Sequence, residues 1–367
     1  MTTFGFVDEL GPEKVIELYD PGTGLKGILV VDNVAAGPSI GGLRMAADVT
    51  KAECFRLARA MTFKNAMAGL AHGGGKSVIV ADPTLPEAEK TGLIRAFAHA
   101  VKDVQDYITG PDMGTNEAAM AHVKDVTGRA VGLPREIGGI PLDEIGATGL
   151  GLVAALEEAQ EFSDLRLDDA RIVVQGFGSV GQHAARFLAE RGARLVGVSD
   201  SQGARSAPDG FDLDALLAYK YTGASVATWR EGETISAADL LSLPCDVLIP
   251  AARPDVIVEA NAGLIQASVI AQGANIPASP AAEAALADRG VLVLPDFVAN
   301  AGGVICAAVE YHNGSEAQAK TTIVEKIRAN TRAVLRRAAD ENRLPRAVAV
   351  DIARERVLQA MTYRGNC

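Results

Sequence analysis

Cysteine is scarce in this sequence, and basic residues are fewer than acidic ones. The four cysteines, Cys54, Cys245, Cys306 and Cys367, are scattered and form no CxxC pair. This distribution argues against a disulfide framework and is typical of reduced thiols in a cytosolic protein. Thirty-five Lys and Arg against 46 Asp and Glu give a net charge of −11, so neither a nucleic acid nor an anionic membrane is expected as a partner.

Long hydrophobic runs are missing too. No segment reaches the roughly 18 uninterrupted apolar residues of a membrane span. The segment from Met1 to Glu9 has neither the basic nor the apolar stretch of a signal peptide. The five histidines show no metal-ligand spacing, so no metal site is expected. Together these features predict a cytoplasmic globular protein.

The apolar residues that are present suffice for more than one hydrophobic core. The chain has 367 residues, 48% of them hydrophobic, and about 150 residues per domain predicts two domains. The first half is expected to contain strands at 14–19, 25–31 and 77–80, glycine-rich turns at 37–44 and 72–76, and helices at 50–69, 86–104 and 116–126. Thr50 is the expected N-cap of the first of these helices.

The second half alternates short strands with helices, which is typical of a parallel sheet. Strands are expected at 171–175, 194–199, 247–249, 269–271 and 291–294, a helix at 182–191, and a charged helical tail at about 316–362. The stretch 132–149, rich in Gly, Pro and Ile, is the expected crossover between the domains.

A glycine motif follows the first strand of the second half. Gly176-Phe-Gly178-Ser-Val-Gly181 lies directly after a buried strand and before a helix, the context in which this motif binds the pyrophosphate of a dinucleotide. Asp200 ends the next strand, at about the 20-residue spacing of the acidic residue that binds the ribose. Its carboxylate favours NAD, with NADP as the alternative because Arg205 follows closely.

Two lysines and one aspartate are candidates for chemistry. His72-Gly-Gly-Gly-Lys76 is not a P-loop, because Leu70 stands where that motif requires glycine and a strand follows. Lys76 is either a desolvated base with a lowered pKa or a surface lysine. Lys64 either binds a carboxylate or lays its stem along an apolar helix face. Asp112 either exchanges protons with a substrate amine or stabilises a turn.

Seven segments, in the same order along the chain, resemble those of the amino-acid dehydrogenase family, which includes glutamate, leucine, valine and phenylalanine dehydrogenases. They are 41–45, 61–66, 73–76, 110–112, the dinucleotide loop 176–181, 273–275 and 295–303. The resemblance implies an NAD-dependent enzyme for reversible oxidative deamination. An L-amino acid and NAD would give a 2-oxo acid, ammonia and NADH.

The resemblance also implies roles for single residues. Lys64 would hold the substrate α-carboxylate, Lys76 would activate the attacking water, and Asp112 would move protons to and from the amino nitrogen. Asn275 would orient the nicotinamide and the substrate. The expected cofactor-binding residues are Thr148, Gly176, Gly178, Ser179, Val180, Gly181, Asp200, Ser201, Ala251, Asn275 and Asn300.

Three departures from the glutamate branch predict an apolar substrate. Ile40, Met61 and Ala307 stand where glutamate dehydrogenases carry a lysine, a glutamine and a serine. A buried side-chain carboxylate would then lack a counter-charge, which is unfavourable. The expected substrate site is Ile40, Gly41, Gly42, Met61, Lys64, Asn275 and Ala307, and the expected substrate is a hydrophobic L-amino acid of the leucine, valine and phenylalanine class.

Two alternatives stay open. The second half resembles the glutamate branch, so glutamate dehydrogenase is one alternative, and a catalytically silent NAD-binding regulatory subunit is the other. We predict an α/β fold of two domains, a substrate and catalytic domain at 1–142 and a doubly wound dinucleotide-binding domain of the Rossmann type at 143–310. C-terminal helices at 311–367 are expected to pack back toward the first domain. A homo-oligomer is expected.

Overall fold

A computed structural model describes residues 3–364, which divide into two compact units. The first unit takes the described parts of Met1–Leu142 and Val350–Cys367 together with Val304–Ala319, and the second comprises Asp143–Gly303 and Lys320–Ala349. The tail expected as one group of helices at 311–367 is thus divided. One physical reason is that Arg332 and Arg346 form ion pairs with Glu158 and Glu283 of the second unit.

The first unit is built on a mixed five-stranded sheet in the order β1-β2-β4-β3-β5. Its strands are β1 (Lys14–Asp20), β2 (Leu25–Asn33), β3 (Ser39–Ala46), β4 (Gly73–Val80) and β5 (Tyr107–Pro111). β1 pairs antiparallel with β2, and β2 pairs antiparallel with β4. β3 runs parallel to both of its neighbours, β4 and β5.

Thirteen α-helices occur in the described chain. They are α1 (Lys51–Met67), α2 (Glu87–Val101), α3 (Glu117–Thr127), α4 (Ala147–Ala159), α5 (Ser179–Ala189), α6 (Leu213–Tyr221), α7 (Ala237–Leu241), α8 (Glu259–Ala262), α9 (Pro280–Ala287), α10 (Asp296–Ala299), α11 (Gly302–Tyr311), α12 (Glu316–Glu341) and α13 (Pro345–Arg364). Short 3-10 turns lie at Thr3–Phe6, Arg135–Ile137 and Val226–Thr228. Thr50 caps α1 as predicted, because its hydroxyl accepts the backbone N–H of Glu53 at 3.2 Å.

The two expected glycine turns of the first half are largely wrong, because residues 39–44 and 73–76 lie in strands and only 37–38 and 72 precede them. Residues 39–46 form β3, and the second glycine run is the beginning of β4. A Cβ atom at Gly74 would lie 2.0 Å from the backbone nitrogen of Thr62, and one at Gly41 would lie 1.8 Å from the carbonyl oxygen of Gly75. The glycines therefore permit close contact between strands and with helix α1, rather than a change of chain direction.

Each face of this sheet packs against a different helical layer. Leu29, Leu43 and Ile79 belong to a core that includes Phe97 of α2 and Met120 of α3. On the opposite face, Val30 and Val78 pack against Cys54, Phe55 and Ala58 of α1. The residues of β3 and β4 that lie on the α1 face alternate with those that lie in the first core.

The second unit contains a seven-stranded sheet in the order β12-β11-β10-β6-β7-β8-β9. Its strands are β6 (Arg171–Gln175), β7 (Arg194–Ser199), β8 (Ala204–Ser206), β9 (Glu233–Ile235), β10 (Val247–Pro250), β11 (Val269–Ala271) and β12 (Leu292–Leu294). Pairing is parallel from β12 through β7 and antiparallel at the β8 and β9 edge. This is the expected α/β unit with a largely parallel sheet.

Three cysteines, Cys54, Cys245 and Cys306, are buried as free thiols, while Cys367 lies outside the described residues. Between residues 3 and 364, no helix is long and apolar enough to cross a membrane.

Candidate active site

Lys76 lies inside β4, not in a glycine turn before the strand as the sequence predicted. It is 5% exposed, in a strand flanked by β2 and β3. Burial, followed by the positive charges of Arg44 and Lys64, lowers the pKa of Lys76 to about 7. A lysine with this pKa exchanges protons readily near neutral pH.

Strand register brings Ile40 to the face of the sheet that carries Lys76. Ile40 pairs with Gly74, and side chains two residues apart on a strand share a face. Gly42 and Arg44 continue that face along β3. A Cβ atom at Gly42 would lie 2.8 Å from the Cβ of Asp112, so glycine leaves the space that the aspartate fills.

Asp112 follows β5 directly and is held by two cations. Lys76 Nζ donates to Asp112 Oδ2, and Arg44 Nη2 donates to Oδ1 at 3.3 Å. Arg44 Nη1 donates to Glu53 Oε1 of α1 at 2.6 Å. All four side chains are largely shielded from solvent. The result is a chain of alternating charges along one face of the sheet, with a lysine of lowered pKa at its end.

Helix α1 supplies Met61 and Lys64 to the same region. Asn65 Nδ2 donates to the carbonyl oxygens of Gly73 at 2.7 Å and Ile40 at 3.3 Å, which fixes the end of α1 against the beginnings of β3 and β4. Met61 and Lys64 are both half-buried. Because Lys64 lowers the pKa of Lys76 electrostatically, its ammonium acts on the same site.

Helix α11 carries Ala307, which is 7% exposed. Two contacts hold this helix and the residue after it within the first unit. Glu310 accepts the backbone N–H of Ile140 at 2.8 Å, and His312 Nε2 lies 3.2 Å from Nε2 of His72, the residue before β4. Ala307 is therefore in the unit that contains Ile40, whereas Thr148, Asn275 and the dinucleotide loop belong to the second unit.

The dinucleotide loop joins β6 to α5, and its three glycines meet different surroundings. Gly176 has φ +99°, and a Cβ there would lie 2.7 Å from Ala252. A Cβ at Gly181 would lie 2.2 Å from the carbonyl oxygen of Gly176. A Cβ at Gly178 would meet nothing within 4 Å. The outer glycines allow the turn and the close helix contact, and Gly178 faces open space at the beginning of α5.

Ser179 and Val180 open α5, which begins three residues before the predicted helix start at residue 182. The hydroxyl of Ser179 donates to the carbonyl oxygen of Asp143 at 3.3 Å. A Cβ at Gly273 would lie 3.1 Å from the Cβ of Ala251 and 3.3 Å from Cγ1 of Val180. The loops after β6, β10 and β11 therefore meet at the carboxyl end of the sheet, where ligands bind in open α/β folds.

Asp200 directly follows β7, but its carboxylate is already occupied by protein donors. Oδ2 accepts Lys220 Nζ and the backbone N–H of Val226, each at 2.8 Å, and Oδ1 accepts Ser225 Oγ at 2.8 Å and the N–H of Gln202 at 3.0 Å. Burial opposes ionisation, yet these donors lower the pKa of Asp200 to about 2. A ribose hydroxyl could donate to Asp200 only by displacing one of them. The next residue, Ser201, is exposed.

Asn275 and Asn300 contact each other directly in the second unit. Asn300 Nδ2 lies 3.2 Å from Asn275 Oδ1 and 3.3 Å from the carbonyl oxygens of Gly273 and Ala274. A Cβ at Gly303 would lie 3.5 Å from the hydroxyl oxygen of Thr148. These contacts join the loop after β11 to the beginnings of α4 and α11.

Two family models match this amino-acid sequence. The model described as Glutamate/Leucine/Phenylalanine/Valine dehydrogenase matches residues 138–365. A second model, described as Glu/Leu/Phe/Val dehydrogenase, dimerisation domain, matches residues 12–129.

The chain belongs to this dehydrogenase family. The glutamate dehydrogenase of Aeropyrum pernix is 38% identical over 91% of this chain and 85% of its own length. The NAD-specific glutamate dehydrogenase of Staphylococcus aureus is 35% identical over 91% of this chain and 84% of its own length. The solved structure of L-tryptophan dehydrogenase from Nostoc punctiforme is 26% identical, with a TM-score of 0.77 over 98% of this chain and all of that one.

Family membership makes this chain an amino-acid dehydrogenase, and its dinucleotide-binding unit fits NAD as the cofactor. The second unit also has features that fit a dinucleotide. Gly178 opens onto empty space at the beginning of α5, where backbone N–H groups favour a pyrophosphate. Among the described residues, Gln175 Oε1 and Asn300 Oδ1 are buried without a hydrogen-bond partner. Both side chains lie beside the loops after β6, β10 and β11, and both oxygens could accept hydrogen bonds from a ligand.

The sequence predictions missed Arg44 and Glu53, although Arg44 lies in one of the family segments. The signal was available, because Ile40, Gly42 and Arg44 alternate as residues of one strand face do. It was missed because 37–44 was interpreted as a turn, in which that alternation has no meaning. Between residues 3 and 364 no group of three or more His, Cys, Asp and Glu side chains could hold a metal ion.

Proposed function

We propose that this dehydrogenase oxidatively deaminates a hydrophobic L-amino acid to its 2-oxo acid and ammonia. The observation that carries the proposal is Ile40, which is 3% exposed and shares a sheet face with Lys76. In the glutamate branch a lysine takes this position, and without it a substrate carboxylate would be desolvated with no counter-charge. Met61 and the buried Ala307 add further apolar surface within the same unit.

The proposed mechanism assigns one task to each charged group of the first unit. Lys64 binds the substrate α-carboxylate as a point charge. Once the hydride has left the substrate α-carbon, Lys76, neutral above a pH of about 7, takes a proton from the water that attacks the resulting imine carbon. Asp112, in contact with Lys76, moves a proton to or from the amino nitrogen. Bound NAD would supply the acceptor for the hydride that leaves the α-carbon.

In the second unit the proposed tasks concern the cofactor. Gly176, Gly178 and Gly181 with the first residues of α5, Ser179 and Val180, hold the pyrophosphate. The adenosine ribose would lie beside Asp200 and Ser201 after β7, with a ribose hydroxyl replacing one of the protein donors to the Asp200 carboxylate. Asn275, supported by Asn300, orients the nicotinamide with Thr148 and Ala251. We further propose that the protein works as a homo-oligomer in the cytoplasm, in keeping with the dimerisation-domain match over residues 12–129 and the free buried thiols.

Glutamate is the second candidate substrate, because the two relatives named above, at 38% and 35% identity, are glutamate dehydrogenases. The L-tryptophan dehydrogenase, whose name specifies an apolar amino acid, is more distant at 26% identity. The names of these relatives favour glutamate, whereas Ile40, Met61 and Ala307 favour an apolar side chain.

The experiment that tests the proposal is the rate of NAD reduction with leucine, valine, isoleucine, phenylalanine, tryptophan and glutamate, with NADP run in parallel. Turnover of an apolar amino acid in preference to glutamate supports the proposal. Turnover of glutamate alone overturns the substrate assignment. Lys76→Ala is the matched inactive variant, and retention of full activity by it would contradict the assigned base. No NAD reduction with any amino acid would favour the regulatory-subunit alternative.

A further inference from the structure

A cluster of buried polar side chains in the second unit is not used by the mechanism above. Gln272 at the end of β11 is fully buried, and Glu283 of α9 and Asp296 of α10 are 4% and 5% exposed. Arg346, in the first turn of α13, is the cation at its centre. Two carboxylates and one guanidinium at this depth are costly unless each is paired, so their arrangement is tightly constrained.

Arg346 connects the three other members of this cluster. Its Nε donates to both carboxylate oxygens of Glu283 at 2.8 and 2.9 Å. Its Nη2 donates to Gln272 Oε1 at 2.6 Å and lies 2.8 Å from Asp296 Oδ1. Gln272 in turn donates to Glu283 at 2.8 Å and accepts the backbone N–H of Asp296 at 3.1 Å. Arg346 is thus paired with Asp296 Oδ1 by charge rather than by an aligned hydrogen bond, and this buried ion pair favours the observed orientation of the Asp296 carboxylate.

The second oxygen of Asp296 holds the loop that carries Asn275. Asp296 Oδ2 accepts the backbone N–H of Ile276 at 2.9 Å. Ile276 has φ +49°, a left-handed conformation that a β-branched residue rarely adopts. Its side chain is 49% exposed, so packing does not compensate for that strain. On the other side, its carbonyl oxygen accepts the N–H of Asp255 at 3.0 Å.

We propose that Arg346 is a positioning residue for Asn275. By fixing Asp296, it holds Ile276 in the left-handed conformation, and that conformation directs the preceding Asn275 toward Asn300. Strained residues that the surroundings hold in place are concentrated at functional sites, where they maintain a geometry the chain would otherwise leave. The inference rests on the proposed function, because Asn275 has its assigned task only in that account.

A purely structural role for Arg346 makes a different prediction. The cluster would then contribute to stability alone, and weakening it would lower the melting temperature without a specific change at residues 273–277. The test therefore needs readouts at the loop itself. Arg346→Lys retains the positive charge but loses the planar guanidinium with its several N–H donors. This variant keeps the protein testable if Arg346→Met fails to fold. Arg354→Met is the control, because Arg354 lies on the same helix and pairs at the surface with Glu9.

The first readout is hydrogen exchange in the protein without NAD, followed at the Ile276 amide and its neighbours. Arg346→Lys should raise the amide hydrogen-exchange rate in segment 273–277 by about tenfold or more, because local opening of this segment becomes easier. Arg354→Met should leave it at the wild-type rate. Wild-type exchange at this segment in Arg346→Lys would overturn the proposal.

The second readout is a double-mutant cycle on kcat with Asn275→Ala. If Arg346 acts through Asn275, Arg346→Lys should lower kcat by about tenfold in the wild-type background and have no further effect in Asn275→Ala. If the two substitutions lower kcat independently, so that their effects multiply in the double variant, the proposal is overturned. Full activity in Asn275→Ala would also overturn it. If the wild-type protein oxidises no amino acid, the proposed function has failed, and the exchange measurement alone decides whether Arg346 positions the loop.

Discussion

At the scale of single residues, Lys76 is the position where structure and chemistry are most closely linked. Its ammonium is buried beside Arg44, and both the loss of solvent and that second positive charge favour the neutral amine. A neutral lysine can take a proton from water. We therefore expect oxidative deamination to rise as the pH rises toward about 7, and to level off above it.

Replacement of Arg44 tests this electrostatic account. Arg44→Met removes a positive charge, so the pKa of Lys76 should rise and the acidic limb of the kcat/KM profile should move up by roughly one pH unit. Glu53→Gln should move it down, because the negative charge of Glu53 raises the pKa of Lys76. Arg56→Met, which changes an exposed arginine on α1, is the control. If the pH profile of kcat/KM does not move in either Arg44→Met or Glu53→Gln, the assignment of the acidic limb to Lys76 is contradicted.

The identity of the charged residues was the part of the candidate site that the sequence predicted best. Lys64, Lys76 and Asp112 were all expected, and these three lie on one unit around one face of its sheet. The partners of Asp200 were not accessible, because Lys220 and Ser225 lie 20 and 25 residues away in sequence. Only the packing of α6 and the following turn brings them to the end of β7.

At the scale of secondary-structure elements, glycine was the main source of error. Glycine usually marks turns, but in β3 and β4 it marks places where two backbones approach closely. Most of the other strands were predicted, since their hydrophobic pattern reflects local burial. Of the helices, α4 and α6 to α11 were not predicted. The helix–strand contact at Gly74 is a tertiary property that a local pattern does not record.

Gly74→Ala tests this interpretation of the glycine run. The added Cβ would lie 2.0 Å from the Thr62 nitrogen, so α1 would have to move away from β4. We expect a loss of about 3 kcal/mol or more in the free energy of unfolding, measured by urea denaturation. Gly92→Ala is the matched control in α2, where a Cβ meets nothing within 4 Å, and it should stabilise the protein by roughly 0.5–1 kcal/mol. Equal effects at the two positions would refute the close-contact explanation.

The dinucleotide loop allows a similar separation of stability from binding. Gly178→Val should leave the melting temperature nearly unchanged, because the space around its Cβ is empty. It should weaken NAD binding by about tenfold or more, since the side chain would occupy the place of the pyrophosphate. Gly176→Val should instead lower the melting temperature, because φ is +99° and Ala252 is 2.7 Å away. Unchanged NAD affinity in Gly178→Val, measured by titration calorimetry, would contradict the assigned cofactor position.

At the scale of the whole molecule, the candidate functional residues are divided between two compact units. Lys76 and Ile40 belong to one, and Asn275 and the dinucleotide loop belong to the other. The alternation of strands and helices made the second unit predictable as an α/β domain. The division of the C-terminal helices was not predictable, because it depends on long-range ion pairs such as that between Arg346 and Glu283.

The substrate is the property of the whole molecule on which its sequence relatives and its site disagree. The most direct measurement is the ratio of kcat/KM for leucine to that for glutamate, with NAD, in the wild type and in Ile40→Lys, with Ile40→Leu as the control of similar volume. The account predicts a ratio above one in the wild type and in Ile40→Leu, and a ratio at least about tenfold lower in Ile40→Lys, because the new ammonium offers a counter-charge to the glutamate side chain. A wild-type ratio below one, or a ratio that Ile40→Lys leaves unchanged, would contradict it.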